Sequence, residues 1–169
     1  MRSMREVGAE GEAAFQARAI REGLKVCRSF QEGLDYDFIV DNGPRCWKVQ
    51  VKATETLVGK TSYHVASGYG KRRRKAYSAE QLDFLIVYVI PEDTWFIVPI
   101  EVIAGRLTMA VPSKYRENLG PMGQWLGRWD LLLYGKWRER PSGKPTKGDL
   151  SLARWGRGKT GRLKYGSRK

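Results

Sequence analysis

The chain is 169 residues long, room for one domain of ordinary size with a tail and too short for a large single-chain assembly. Hydrophobic residues make up 41% and aromatic residues 11%, enough apolar surface for a packed core, which rules out wholesale disorder. The formal net charge is +13, from 31 Lys and Arg against 18 Asp and Glu, and such a surplus points to a polyanionic partner, nucleic acid ahead of an acidic membrane.

A helical pattern runs from Glu6 to Gly23, where Ala13, Ala17, Ile20 and Leu24 recur at spacings of three and four and Gly23 supplies the stop. Three short segments rich in β-branched and aromatic residues follow, Lys25 to Phe30, Tyr36 to Asp41 and Cys46 to Thr54, and read as strands. Asp41-Asn42-Gly43-Pro44 joins the last two as a hairpin. Pro44 has no N–H to close a two-residue turn, so a wider loop of Asn42 to Arg45 is expected, pairing Asp41 with Cys46. Ser78-Ala79-Glu80-Gln81 has the spacing of a capping box at a short helix. Leu82 to Ile90 is almost wholly apolar, as a strand buried on both faces would be, and Pro91-Glu92-Asp93-Thr94 turns it into Trp95 to Ile100. These two are expected at the centre of the sheet, with the amphipathic stretch Gln124 to Leu133 covering one edge. Helix, three strands, crossover, strand, strand describes an α/β layer fold with a mixed central sheet flanked by helices.

The charge is uneven. From Gly135 to Lys169 there are 12 basic residues and 2 acids, so this segment holds +10 of the +13. The expectation is a domain over 1–134 and a basic, Gly-rich, loosely ordered tail over 135–169, with Trp137, Trp155 and Tyr165 interspersed. No apolar run approaches the ~20 residues needed to span a bilayer, and Met1-Arg2-Ser3-Met4-Arg5 leads into no apolar segment, so a cytoplasmic protein is expected. Cys27 and Cys46 form no CxxC pair; packed, reduced thiols are expected, with neither a zinc knuckle nor a disulfide framework.

Along Cys46 to Thr54, Trp47, Val49, Val51 and Ala53 share one face while Cys46, Lys48, Gln50 and Lys52 share the other. The wide loop sets Asp37 opposite Gln50, with Cβ atoms roughly 5 Å apart. A carboxylate, an amide oxygen and an ammonium then occupy one patch, able to hold a divalent cation and place a water beside a phosphate. A solvated sheet face is the plain alternative. Glu12 argues against it, lying on the helix stripe of Gly8, Phe15 and Ala19 and so facing the sheet, whereas Glu10 faces water. Acids gathered inside a cationic chain call for a positive neighbour or a metal ion, and Mg²⁺ is the natural one.

Gly8-Ala9-Glu10-Gly11-Glu12, then Tyr36-Asp37-Phe38-Ile39-Val40, then Val49-Gln50-Val51-Lys52 resembles the PD-(D/E)xK nuclease core in the variant where Gln replaces the second acid, as in the group I intron homing endonucleases of that superfamily. The likeness runs on through Leu82 to Tyr88, Trp95 to Ile100 and Tyr115-Arg116 to Trp129-Asp130-Leu131-Leu132, and leaves out the tail. Tyr36 stands where the pattern has Pro. The resemblance implies a restriction-endonuclease-like core that hydrolyses phosphodiesters of double-stranded DNA with Mg²⁺, for which Mn²⁺ can substitute. It implies Asp37 as main metal ligand, Gln50 as a neutral oxygen ligand and the Val51 backbone carbonyl as a third. Lys52 would orient the attacking water and stabilise charge on the phosphate, and Glu12 would assist through a bound water or by orienting the site.

Lys71-Arg72-Arg73-Arg74-Lys75 is a basic run between a predicted strand and helix, read as a DNA backbone or groove contact, with a solvated loop as the plain alternative. His64 is the sole histidine, too few for a ββα-metal nuclease, and is expected to be structural. Trp47, Trp95 and Trp129 are expected in the core. The leading function is a site-specific double-strand endonuclease of the homing type, working as a homo-oligomer, at least a dimer and by resemblance a tetramer. The alternatives are a structure-selective nuclease such as a Holliday junction resolvase, and a DNA-binding protein with a degenerate nuclease fold.

Overall fold

In the computed structural model, which describes residues 2–31, 33–59, 61–70 and 74–135, the first helix, α1, spans Met4–Arg21. Ser3 caps it reciprocally: its hydroxyl accepts the Glu6 N–H, and the Glu6 carboxylate accepts the Ser3 N–H at 2.7 Å. Gly23, at φ +86°, ends it where a side chain would be strained, as expected. The stripe facing the sheet is Val7, Gly11, Phe15 and Ala19, four residues apart. Ala13 and Ala17 are exposed and Ile20 is 58% exposed, which corrects the apolar pattern read from sequence. The reason is Gly11, whose lack of a side chain lets the helix approach the sheet yet adds nothing to a hydrophobic count.

Three strands follow: β1 (Lys25–Arg28), β2 (Phe38–Asp41) and β3 (Cys46–Thr54), antiparallel in succession. The loop is the wide one, with Asn42 N–H on Arg45 O at 3.0 Å and Arg45 N–H on the Asn42 side-chain oxygen at 2.9 Å. Asp41 pairs with Cys46, as Pro44 dictates.

The chain then crosses over through β4 (Leu57–Val58), β5 (Ser62–Ala66), β6 (Gly68–Tyr69) and β7 (Lys75–Ala76) before β8 (Phe84–Val89), which runs parallel to β3. A 3₁₀ turn over Ile90–Glu92 reverses it into β9 (Thr94–Pro99). All residues of β8 and β9 are buried, as expected of strands covered on both faces. The sheet order is β1-β2-β3-β8-β9, a mixed α/β sheet. Its centre is therefore β3, and β9 ends the row. That edge is covered from Gln124 to Leu133, as expected, through a bridge of Leu126 to Phe96 and a Gly127 N–H on Trp95 O at 2.8 Å.

After a one-turn helix, α2 (Ile100–Ile103), comes β10 (Thr108–Pro112), which pairs with β5 and, through it, β4 in a second sheet. This sheet went unread in the sequence. Tyr63, Val65, Met109 and Val111 bring it into the same core as Phe15, Phe38 and Val49, while His64 points outward. Ser78 to Gln81 forms a turn rather than the expected helix, with the Ser78 N–H on the Gln81 side-chain oxygen at 3.0 Å. The edge-covering stretch is also broken, into a 3₁₀ turn over Pro121–Trp125 and a short α3 (Asp130–Tyr134). Trp47, Trp95 and Trp129 are buried, as expected. Cys27 and Cys46 are exposed thiols, a correction to their expected packing: Cys27 lies on the edge strand β1 and Cys46 is the first residue of β3. Among the described residues, no helix is long and apolar enough to cross a membrane.

Candidate active site

Asp37 sits one residue before β2, held on both sides by backbone. Its N–H reaches Val49 O at 2.9 Å, and its carbonyl takes the Ser29 N–H at 3.2 Å. Since Phe38 pairs with Val49, the next step of the register brings Asp37 to Gln50, on the face opposite α1. The Gln50 side-chain nitrogen donates to Asp37 Oδ2 at 2.6 Å, and the Val51 N–H donates to the same oxygen at 2.8 Å. Gln50 is only 7% exposed. Two residues along β3, Lys52 takes the same face by strand alternation and is half-buried.

Glu12 comes from the helix. Gly11 lies against Ala53, so the neighbours of that pair, Glu12 and Lys52, come within electrostatic reach of each other and of Asp37. The Glu12 carboxylate is also paired with Arg28 at 2.5 Å. The structure thus brings together the four side chains singled out in the sequence, Asp37, Gln50, Lys52 and Glu12, with the Val51 backbone at the floor of the site.

Burial dominates the electrostatics of the site. Burial pushes the Asp37 carboxyl above its ordinary range, against the Val51 N–H, Lys52, Gln50 and Arg28. Burial and then the charge of Asp37 push Glu12 up, against Arg28 and Lys52. Burial pushes the Lys52 ammonium down even though Asp37 and Glu12 favour it charged. Lys52 therefore gives up its proton more readily than an exposed lysine, while its two carboxylate neighbours favour the charged form. Among the described residues, no three His, Cys, Asp or Glu side chains gather as a metal-holding group. The oxygens gathered here are those of Asp37 and the Val51 carbonyl, hard donors of the kind Mg²⁺ takes, and the Gln50 amide presents its nitrogen to both.

Sequence reasoning missed two participants. Arg28, at the end of β1, anchors Glu12, and only its place at a strand end could have hinted at this. Tyr77 is buried, stacked on Tyr69 with ring centroids 5.2 Å apart, and its hydroxyl is pushed up to about 12 by burial and then by the charges of Asp37 and Asp35. It therefore roots the β6–β7 hairpin within electrostatic reach of Asp37. Arg74 and Lys75, both exposed, lie on that hairpin rather than before a helix. Lys71, Arg72 and Arg73 lie outside the described residues, as does the tail from residue 136.

Residues 2–129 match a family described as PD-(D/E)XK endonuclease. Among solved structures, the chain is similar to a bacterial homing endonuclease, I-Ssp6803I, with a TM-score of 0.69 and 23% identity, covering 78% of this chain and 94% of that one. That likeness bears out the restriction-endonuclease-like fold. Weaker matches are to a Holliday junction resolvase of Archaeoglobus fulgidus, with a TM-score of 0.42 and 12% identity over 63% of this chain and 84% of that one, and to MepB, with a TM-score of 0.42 and 16% identity over 60% and 83%. No curated protein matches the chain.

Proposed function

Because this chain belongs to the PD-(D/E)XK endonuclease family, we propose that it is a Mg²⁺-dependent, site-specific endonuclease of the homing type that hydrolyses phosphodiester bonds in double-stranded DNA. The observation that carries this reading is one buried sheet face presenting a carboxylate, an amide and an ammonium at Asp37, Gln50 and Lys52, with the helical Glu12 at its rim.

Asp37, the Gln50 side-chain oxygen and the Val51 carbonyl would hold the cation, Mg²⁺ or Mn²⁺ in its place. When bound, it supplies positive charge to the phosphate and makes a nearby water more acidic. Lys52 orients the attacking water and counters the charge that builds on the phosphate oxygens as the water oxygen bonds to phosphorus and the opposite ester oxygen leaves. Glu12, fixed by Arg28, orders the water side of the site. The basic run Lys71 to Lys75 grips the DNA backbone, and the domain over 1–134 is followed by a tail, 135–169, that adds nonspecific attraction. One such face per chain cuts one strand, so double-strand cleavage calls for a homo-oligomer, a dimer or tetramer, acting in the cytoplasm.

The test is cleavage by Asp37→Ala and Lys52→Ala. Each is expected to lose Mg²⁺-dependent cleavage by about a hundredfold or more while keeping DNA affinity. Undiminished cleavage by either variant refutes the assignment. Digestion of genomic DNA with mapping of the ends is expected to find one or few loci; a preference for four-way junctions would replace the homing reading with a structure-selective one.

A further inference from the structure

The donors and acceptors around Asp37 fix which end of the Gln50 amide faces inward. The Gln50 nitrogen stands 2.6 Å from Asp37 Oδ2 and 3.5 Å from the Val51 carbonyl oxygen. Both neighbours are acceptors, so an amide oxygen turned toward them would meet oxygen with no proton between. The nitrogen, with two protons to donate, is the end that fits. Gln50 is 7% exposed, so solvent does not offer the side chain an equivalent second position.

The same two oxygens are those assigned above to a divalent cation, and the inference rests on that reading. A cation there needs the amide oxygen, not its nitrogen. We propose that Gln50 is a removable stand-in for the cation: its NH₂ group satisfies Asp37 and the Val51 carbonyl in the metal-free protein, and the amide turns over by half a rotation when metal binds. Asp37 Oδ2 keeps the Val51 N–H in both states, at 2.8 Å here, so the carboxylate is never left without a donor. The exchange makes loading weak in the free protein. Giving up a hydrogen bond to a charged acceptor lowers metal affinity roughly ten- to a hundredfold, which a DNA phosphate joining the site would make good. The cation is then held firmly only on DNA.

The experiment uses the full chain labelled with ¹⁵N, with the Gln50 side-chain signals assigned by their loss in Gln50→Glu. Without metal, one of the two amide protons is expected well downfield of the other and slow to exchange; saturating Mg²⁺ is expected to collapse that difference. Calorimetry on the same samples reports binding independently. Heat of Mg²⁺ binding with unmoved Gln50 signals overturns the turnover alone. The absence of Mg²⁺ binding in both the wild type and Gln50→Glu, by equilibrium dialysis as well as by heat and with DNA present as well as absent, overturns the metal reading and the turnover with it. Gln50→Glu has no N–H to surrender and is expected to bind Mg²⁺ about tenfold more tightly or better. Equal affinity counts against the proposal.

Discussion

Gly11 of α1 lies so close to Ala53 of β3 that a Cβ added to the glycine would stand 2.5 Å from the Ala53 Cβ. Carbon atoms pack at about 3.5–4.0 Å, so this approach admits no side chain on the helix. The neighbours of this pair are Glu12 and Lys52. Glu12 and Lys52 thus flank this helix–sheet contact and lie within electrostatic reach of each other.

Gly11→Ala tests that relationship. Alanine favours a helix interior by about 1 kcal/mol, but the clash with an inflexible methyl outweighs it, and a net loss of roughly 1–3 kcal/mol is expected by chemical denaturation. Cleavage falls with it, as Glu12 is pushed from Lys52. Ala53→Gly in the same chain makes room and restores both. A Gly11→Ala protein as stable as the wild type would show that the helix does not sit this close.

The register that unites Asp37 with Gln50 depends on the Asn42 to Arg45 loop. The Asn42 side chain accepts the Arg45 N–H at 2.9 Å and donates to the carbonyls of Leu132 and Leu133 at 2.9 and 3.1 Å. Asn42→Ala removes all three bonds, and a loss of about 1–3 kcal/mol is expected from thermal or chemical unfolding. Asn42→Asp keeps the acceptor for Arg45 but sets a carboxylate against two carbonyls, so it is expected to be no more stable than Asn42→Ala. If Asn42→Asp recovers full stability, the bonds to Leu132 and Leu133 contribute nothing.

These two positions show what the sequence made legible. The loop was readable because Pro44 lacks an N–H and so forbids the tighter turn; from that one constraint follow the pairing of Asp41 with Cys46 and the meeting of Asp37 with Gln50. Gly11 was not readable as a point of packing, since a glycine carries no apolar signal, and the stripe was drawn through Ala13 and Ala17 instead. Glu12 was still placed toward the sheet, because Phe15 and Ala19 mark the same side. The second sheet escaped because the partners of its strands are remote: Ser62 pairs with Pro112 and Ala66 with Thr108, beyond the reach of any local pattern. Arg28 and Tyr77 escaped for the same reason, their roles resting on interactions with Glu12 and Asp37 that only the fold creates.

Glu92 gives stability a dependence on pH away from the candidate site. It is buried at the β8–β9 turn, where its carboxylate takes the Ser113 hydroxyl at 2.6 Å and the Lys114 N–H at 2.7 Å. Burial pushes its pKa up, but these donors together with Tyr63 outweigh it and hold the carboxyl below its ordinary value. A carboxyl lowered in the folded state contributes stability that is complete above the unfolded value, near 4.5, and is lost as pH falls through the folded one. Glu92→Gln is therefore expected to cost about 1–3 kcal/mol at pH 7, and less as both proteins are titrated into acid. Urea unfolding at several pH values checks it; a difference that stays constant into acid would show that the charge of Glu92 contributes nothing.

The basic hairpin makes the last prediction, and its geometry decides between a DNA-binding element and a solvated loop. Arg74 and Lys75 are exposed, and Lys75 pairs with Tyr69, whose ring stacks on Tyr77, itself within electrostatic reach of Asp37. A duplex whose phosphate reaches Asp37 must then pass near these cations. The double variant Arg74→Ala, Lys75→Ala is expected to weaken binding to all sequences alike and to flatten the plot of log affinity against log salt by about 0.9 for each phosphate no longer neutralised. Tyr77→Phe keeps the stack and is expected to leave that slope alone, while Tyr77→Ala, which frees the hairpin root, is expected to flatten it without removing any charge. If neither the double variant nor Tyr77→Ala changes the slope, the hairpin faces water and DNA enters from another side.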